Sequence, residues 1–189
     1  MNRMTKRTKA SGPTYRVQFR RRREGKTDYR KRLRLLFSRK PRVVVRKSNK
    51  NIRMQLVLTD ELGDKTFVSV ISSELKRYDY EGGGCNAPAA YLTGLLFGKK
   101  AKEAGFDEAI FDIGLHTPLH GSNVYAVLKG TVDSGMTVPH APSVFPSDER
   151  IRGEHIAKFF QKPSITDNFN TVKEKILAEK EEKREIVTA

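Results

Sequence analysis

The chain has 189 residues, room for one domain with a buried core plus extensions, and its 37 Lys and Arg against 22 Asp and Glu give a formal charge of +15. The excess sits at one end: residues 1–50 hold 20 basic and 2 acidic groups, a net +18, while residues 51–189 hold 17 and 20, a net −3. No run approaches the roughly 18 apolar residues of a membrane span, the first residues lack the apolar stretch of a secretory signal, and a lone cysteine, Cys85, excludes an internal disulfide or a Cys/His zinc cluster.

Residues 1–25 are polar, basic and punctuated by Gly12, Pro13 and Gly25, so they read as an extended arm with no core of its own. Like charge at this density repels itself and orders against a polyanion. Arg20, Arg21, Arg22 and Arg23 are consecutive and would put charge on every face of a helix, which argues against an amphipathic transit peptide; Leu33, Leu35, Leu36 and Phe37 are the only apolar cluster in the first forty residues, which argues against a membrane anchor. Thr27 is positioned to cap a short helix with Asp28 in its first turn, running to about Ser38 and presenting Arg30, Lys31, Arg32 and Arg34 around its circumference. Pro41 stops it.

Three strand-like runs follow. Arg42-Val-Val-Val-Arg is β-branched and compact. Ile52 to Thr59 alternates, with Ile52, Met54, Leu56 and Leu58 on one face, and Thr66 to Ile71 follows a Gly63-Asp64 turn signal. The short connections suit antiparallel neighbours. After Gly82, Gly83 and Gly84, Asn86 caps a helix with Pro88 in its first turn. Its buried face is Leu92, Leu95, Leu96 and Phe97, and Lys99, Lys100, Lys102 and Gly105 close it. Residues 109–114 read as a short buried strand. Ser122 caps a second helix with Val124, Tyr125, Leu128 and Val132 inward. The order β-β-β-α-β-α predicts an α/β fold, a mixed sheet with helices packed on it.

Residues 136–147 hold Pro139, Pro142 and Pro146 and read as surface loop; a short helix opens at Ser147 and ends near Phe160. A last helix begins at Ser164 with a capping-box spacing to Asp167. Along it Ile165, Phe169, Val172 and Ile176 form a narrow apolar stripe, suited to docking on a protein neighbour or on the chain's own domain. Glu179 to Glu185 is a mixed-charge end. The division is therefore a basic arm and short helix over 1–40, an α/β core over 41–136, and a loop-and-helix extension over 137–189 expected to dock on a neighbour.

Motifs that suggest catalysis fail on geometry. Gly94-Leu-Leu-Phe-Gly-Lys-Lys is one residue short of a phosphate loop and lies inside a helical pattern, where the backbone N–H groups are already bonded. Small residues for close helix packing explain it better. His116 and His120 have the spacing of a helical metal pair, but Pro118 and the flanking glycines make the segment a loop. The strand order is shared with ribonuclease-H-type nucleases, which need converging carboxylates and metal ions. Residues 42–47 contain no acid, and Asp112 alone reads as a strand-end residue binding backbone.

The basic segments point to RNA. Arginine's planar fork suits phosphate, and Tyr15, Phe19 and Tyr29 are interleaved with the arginines as stacking partners for unpaired bases. Arg46-Lys-Ser-Asn-Lys brings further cations to the edge of the domain, with Ser48 and Asn49 short enough to read a 2′-hydroxyl or a base edge.

The run Tyr15-Arg-Val-Gln-Phe-Arg-Arg-Arg-Arg-Glu-Gly-Lys-Thr-Asp-Tyr-Arg-Lys-Arg-Leu resembles the 5S-rRNA-binding protein of the large ribosomal subunit, universal family eighteen. So do Arg46-Lys-Ser-Asn-Lys, Ala90-Tyr-Leu-Thr-Gly-Leu-Leu, Asp112-Ile-Gly-Leu, Lys129-Gly and Arg150-Ile-Arg-Gly-Glu-His-Ile. The likeness runs from about Tyr15 to Phe160, and the N-terminal blocks are similar to the archaeal form. It implies a cytoplasmic, ribosome-bound structural protein that binds 5S rRNA. Such a protein tethers 5S rRNA to the large-subunit rRNA in the central protuberance and neighbours another 5S-binding ribosomal protein. It implies no catalysis, cofactor, metal, membrane or small-molecule substrate. The candidate RNA-binding residues are Tyr15, Arg16, Arg20, Arg21, Arg22, Arg23, Lys26, Tyr29, Arg30, Lys31, Arg32, Arg34, Arg46, Lys47, Ser48, Asn49 and Lys50. The rivals are a nuclease on a similar sheet and a basic RNA chaperone working away from the ribosome.

Overall fold

The alternation in the first three apolar runs produces a sheet with one dry face. The computed structural model describes residues 12–61, 63–162 and 164–178. Strands β1 (Arg42–Lys47), β2 (Ile52–Asp60) and β3 (Gly63–Ile71) are antiparallel, β4 (Ile110–Asp112) runs parallel to β1, and the order is β3-β2-β1-β4. The register Val43↔Leu56 and Val45↔Met54 puts those residues, with Ile52, Val68 and Val70, on the core face. After Leu56↔Val68 the ladder shifts to Val57↔Thr66, leaving Phe67 as an extra residue on β3. Leu58, expected inward, is only half-buried, and Val57 is buried instead.

Helix α3 (Ala87–Glu103) lies against the core face, capped as expected by Asn86, whose side chain accepts from the Ala89 N–H at 2.8 Å. It is buried on all sides from Ala87 to Gly98, not on one face, because α4 (Asn123–Asp133) and the later helices wrap it. A Cβ on Gly94 would lie 2.1 Å from the Val127 carbonyl oxygen, and one on Gly130 would lie 2.1 Å from that of Tyr91. The glycine spacing is thus a backbone-to-backbone helix contact. Ser122 precedes α4 but makes no capping bond, and its hydroxyl is buried without a partner.

The arm's order differs from expectation in two places. Arg20–Arg23 forms a one-turn helix, α1, and helix α2 (Tyr29–Leu36) is capped by Asp28, not Thr27. The Asp28 carboxylate accepts the Arg30 and Lys31 N–H groups at 3.0 and 3.2 Å, where the helix dipole favours a negative charge. Thr27 instead accepts from Arg21 Nε at 2.9 Å. The first eleven residues of the arm lie outside the described residues.

The C-terminal part corrects the expected docking on a neighbour. Met136 and Val138 are buried, so the proline-rich loop begins inside the core. Helices α5 (Asp148–Arg152) and α6 (Glu154–Phe160) are separated at Gly153, and α7 (Ser164–Ala178) follows. Phe169, Val172 and Ile176 are at most 3% exposed and belong to the chain's own core; Ile165 is half-buried. The narrow stripe suffices because it meets α3, which is apolar all round: the Phe169 and Tyr91 rings are 5.7 Å apart. Polar ties hold α7 in place: Lys175 pairs with Asp79 at 2.5 Å, and Lys99 Nζ donates to the Ile176 carbonyl at 3.0 Å. Asp79 ends an unforeseen 3-10 segment over Ser72–Tyr78. The mixed-charge end beyond α7 lies outside the described residues.

Candidate nucleic-acid interface

Alternate side chains of β1 face away from the core. Arg42, Val44 and Arg46 sit there opposite Val57, Gln55 and Arg53 of β2. Arg42 is 2% exposed despite its charge. Its guanidinium donates to Asp64 at 2.9 Å and to Asp112 at 3.2 Å, reaching Thr59 Oγ1 at 3.5 Å. Asp64 also takes Arg32 at 2.9 Å, and Arg46 lies 3.8 Å from Asp112. The chain Arg32–Asp64–Arg42–Asp112–Arg46 alternates in sign and ties α2 to the sheet. Burial alone would raise the Asp64 carboxyl, but the Arg32 and Arg42 guanidiniums outweigh it and hold the group below the ordinary carboxylate value.

Over this face α1 and α2 enclose a cavity of about 380 Å³, lined by cations from Arg21, Lys26, Lys31, Arg32, Arg42 and Arg46 and by Asp28, Asp64 and Asp112. Each acid is already committed: Asp28 caps α2, and the other two hold arginines. Glu24 similarly takes Lys26 at 2.9 Å and Arg20 at 4.0 Å. Arg16, Arg22, Arg23, Arg30, Lys31 and Arg34 are exposed, with no carboxylate partner among the described residues. Tyr15 is half-buried, and the Tyr29 ring tilts against Phe19 at 5.3 Å, with Phe19 72% exposed. The arm therefore offers a surplus of positive charge with an aromatic pair among it.

The β1–β2 turn carries the second set. Its Ser48 hydroxyl donates to the Asn51 carbonyl at 2.8 Å and accepts the Asn51 N–H at 3.0 Å. Its single donor is spent on the turn. Lys47, Asn49 and Lys50 are exposed. From below, Cys85 Sγ donates to the Ser48 carbonyl at 3.0 Å.

Two further groups border this surface: the His116 loop, which reads from the sequence as surface or RNA-contacting, and a residue that the sequence reading did not single out. Parallel pairing of β4 with β1 brings residues 114–116 beside the end of β1. There His116 Nε2 accepts the Lys47 N–H at 3.1 Å, and Arg46 Nη1 donates to the Asp112 carbonyl at 3.2 Å. Burial, then the Arg46 and Lys47 charges, hold the His116 imidazole below its ordinary value, consistent with an acceptor nitrogen. Gly114 sits at φ +60, a conformation that side chains rarely adopt, and a Cβ there would also displace the Arg46 guanidinium, whose carbon lies 2.8 Å away. Asp112-Ile-Gly in the sequence was the available signal. The other contributor is Arg53, exposed and directly across from Arg46. Like charges opposite one another cost stability, a cost that a bound polyanion removes. The strand alternation already implied its outward direction.

Nothing in this surface performs bond chemistry. Asp112 is bonded to Arg42 and to the Gly114 N–H at 2.8 Å, and the cationic sheet face would repel catalytic metals. His116 is engaged with backbone, and His120 Nδ1 lies 3.1 Å from the Ser143 carbonyl. Among the described residues no three metal-ligating side chains are grouped, and no helix is long and apolar enough to cross a membrane. What the surface can do is hold phosphates and stack bases.

A family model described as ribosomal large subunit proteins 60S L5 and 50S L18 matches residues 13–108. Large ribosomal subunit protein uL18 of Methanococcoides burtonii is 58% identical over 170 residues, covering 90% of this chain and 98% of that protein. The protein of the same name from Methanothrix thermoacetophila is 55% identical over 168 residues, covering 89% and 99%.

Proposed function

The chain belongs to the family of large-subunit ribosomal proteins L5 and L18, and from that premise we propose that it binds 5S rRNA through its arm and β1–β2 turn and helps tether it to the large-subunit rRNA. It is a structural constituent of the large ribosomal subunit and not an enzyme. The observation that carries the finer reading is the outer sheet face, where the acids are consumed internally and Arg46 stands opposite Arg53. A surface built this way is stabilised by a polyanion. Within this reading, residues 1–40 supply phosphate contacts and residues 41–136 hold the turn in shape. A second 5S-binding ribosomal protein is then a neighbour in the central protuberance.

The test is binding of the full chain to 5S rRNA and to an unrelated RNA of equal length across a salt series. With roughly eight phosphate contacts, log affinity falls against log salt with a slope of about −6 to −7. Replacing Arg20, Arg21, Arg22 and Arg23 together by Gln flattens that slope by about 3. An unchanged slope would show that the arm does not touch the RNA.

A further inference from the structure

On the helical side of the molecule, α6 ends in two phenylalanines that the fold does not use. Phe159 is 80% exposed and Phe160 61%, their rings meeting edge to face at 5.0 Å. Isolated exposed apolar residues are ordinary, but two adjacent open rings are not needed to close this core. The helix stops at Gln161, in the left-handed conformation at φ +52, and the Lys162 N–H bonds back to the Ala157 carbonyl at 3.1 Å. Lys162 is thereby folded against the last turn. Lys158 and Lys162 are both exposed and neither is ion-paired among the described residues, although Glu149 and Glu154 line the hollow that Lys158 borders.

We propose that this aromatic–lysine knob is a second RNA contact, separate from the arm. An unpaired base stacks on the open Phe159 ring, and the Lys158 and Lys162 ammonium groups take the flanking phosphates. Stacking on an aromatic face with cations beside it is the chemistry of single-stranded nucleic-acid recognition. A protein partner fits less well, because lysine is depleted in protein interfaces and the apolar surface here is two rings, not a broad patch. The arm covers the outer sheet face, whereas α6 packs on α5 and α7, and α3 separates these from the sheet. One chain can thus hold two RNA segments at once. The proposal rests on membership of the large subunit and not on 5S binding by the arm.

The experiment uses large subunits assembled with the full chain carrying the photo-cross-linker p-benzoylphenylalanine at residue 159 and, in a second preparation, at residue 22. Residue 159 is expected to cross-link to rRNA. A cross-link from 159 to a ribosomal protein, or none in subunits holding the chain at full occupancy, overturns the knob. Residue 22 reports on the arm separately, so either reading can fail alone. The double variant Phe159→Ala/Phe160→Ala then binds the cross-linked RNA segment about tenfold more weakly, with an unchanged thermal midpoint. Unchanged affinity sinks the stacking contact.

Discussion

Arg42 Nη2 and Asp64 Oδ2 lie 2.9 Å apart, with the arginine side chain 3% exposed, and the pair bridges β1 and β3 across the strand between them. A charge that the sheet face would otherwise exclude is held there by carboxylates from two other strands. The pairing is incomplete, since Arg42 Nε is buried without a partner, so the network organises the surface at some cost in stability.

Asp64→Asn removes a charged acceptor from both Arg32 and Arg42. Stability measured by urea unfolding is expected to fall by about 1.5–3 kcal/mol. Because the folded Asp64 titrates below its ordinary 3.8, its contribution is present above that value and lost as pH falls through the folded one. The native chain should therefore lose stability faster than the variant below pH 3.8. Parallel profiles would show that the pair does not contribute.

Gly94→Ala sets a methyl group 2.1 Å from the Val127 carbonyl oxygen, and neither backbone can yield without parting α3 from α4. The loss should match or exceed the upper end of the roughly 1–3 kcal/mol typical of overpacking. Gly105→Ala, at φ +81 with nothing within 4 Å, carries only backbone strain of about 1–2 kcal/mol. Thermal melts of the two compared directly test whether contact or conformation dominates.

His116 should titrate below the ordinary 6.5 when followed by NMR. Its folded value is depressed, so the stability it contributes is complete above 6.5 and is lost as pH falls through the folded value. The Lys47 amide, which donates to His116 Nε2, should shift in step. A Lys47 amide indifferent to pH would contradict the bond.

Asn49→Ala should reduce discrimination between 5S rRNA and an unrelated RNA of equal length, since Asn49 is the short polar side chain at the turn whose donors are not spent on it. Arg22→Gln should weaken both RNAs about equally. Ser48→Ala should act differently again, lowering thermal stability through loss of the turn's hydroxyl bonds. If Asn49→Ala lowered both affinities by one factor, the turn would not read the RNA.

Phe169→Ala empties a core site and should cost about 3–5 kcal/mol in unfolding free energy. At temperatures where the variant stays folded, 5S rRNA affinity should remain within twofold. A change in RNA affinity without a change in stability would reassign α7 to the interface.

The order of elements along the chain, Asn86 as a cap, the glycines of α3 as small residues for helix packing and the cationic arm were all legible in the sequence. Each rests on local rules: alternation, capping chemistry, residue size and charge density act over a few neighbouring residues. Thr27 and Asp28 are both good caps, and local pattern does not choose between them; in the fold Asp28 caps α2 while Thr27 takes Arg21 Nε.

What the tertiary structure alone decided concerns partners distant in the chain. Arg32, Asp64 and Asp112 meet Arg42 because the β3-β2-β1-β4 order carries them to one face. His116 reaches Lys47 because β4 runs parallel to β1. The stripe on α7 suited either a neighbour or the chain itself, since spacing shows that a face is apolar but not what covers it. The chain's own α3, buried on every side from Ala87 to Gly98, covers it.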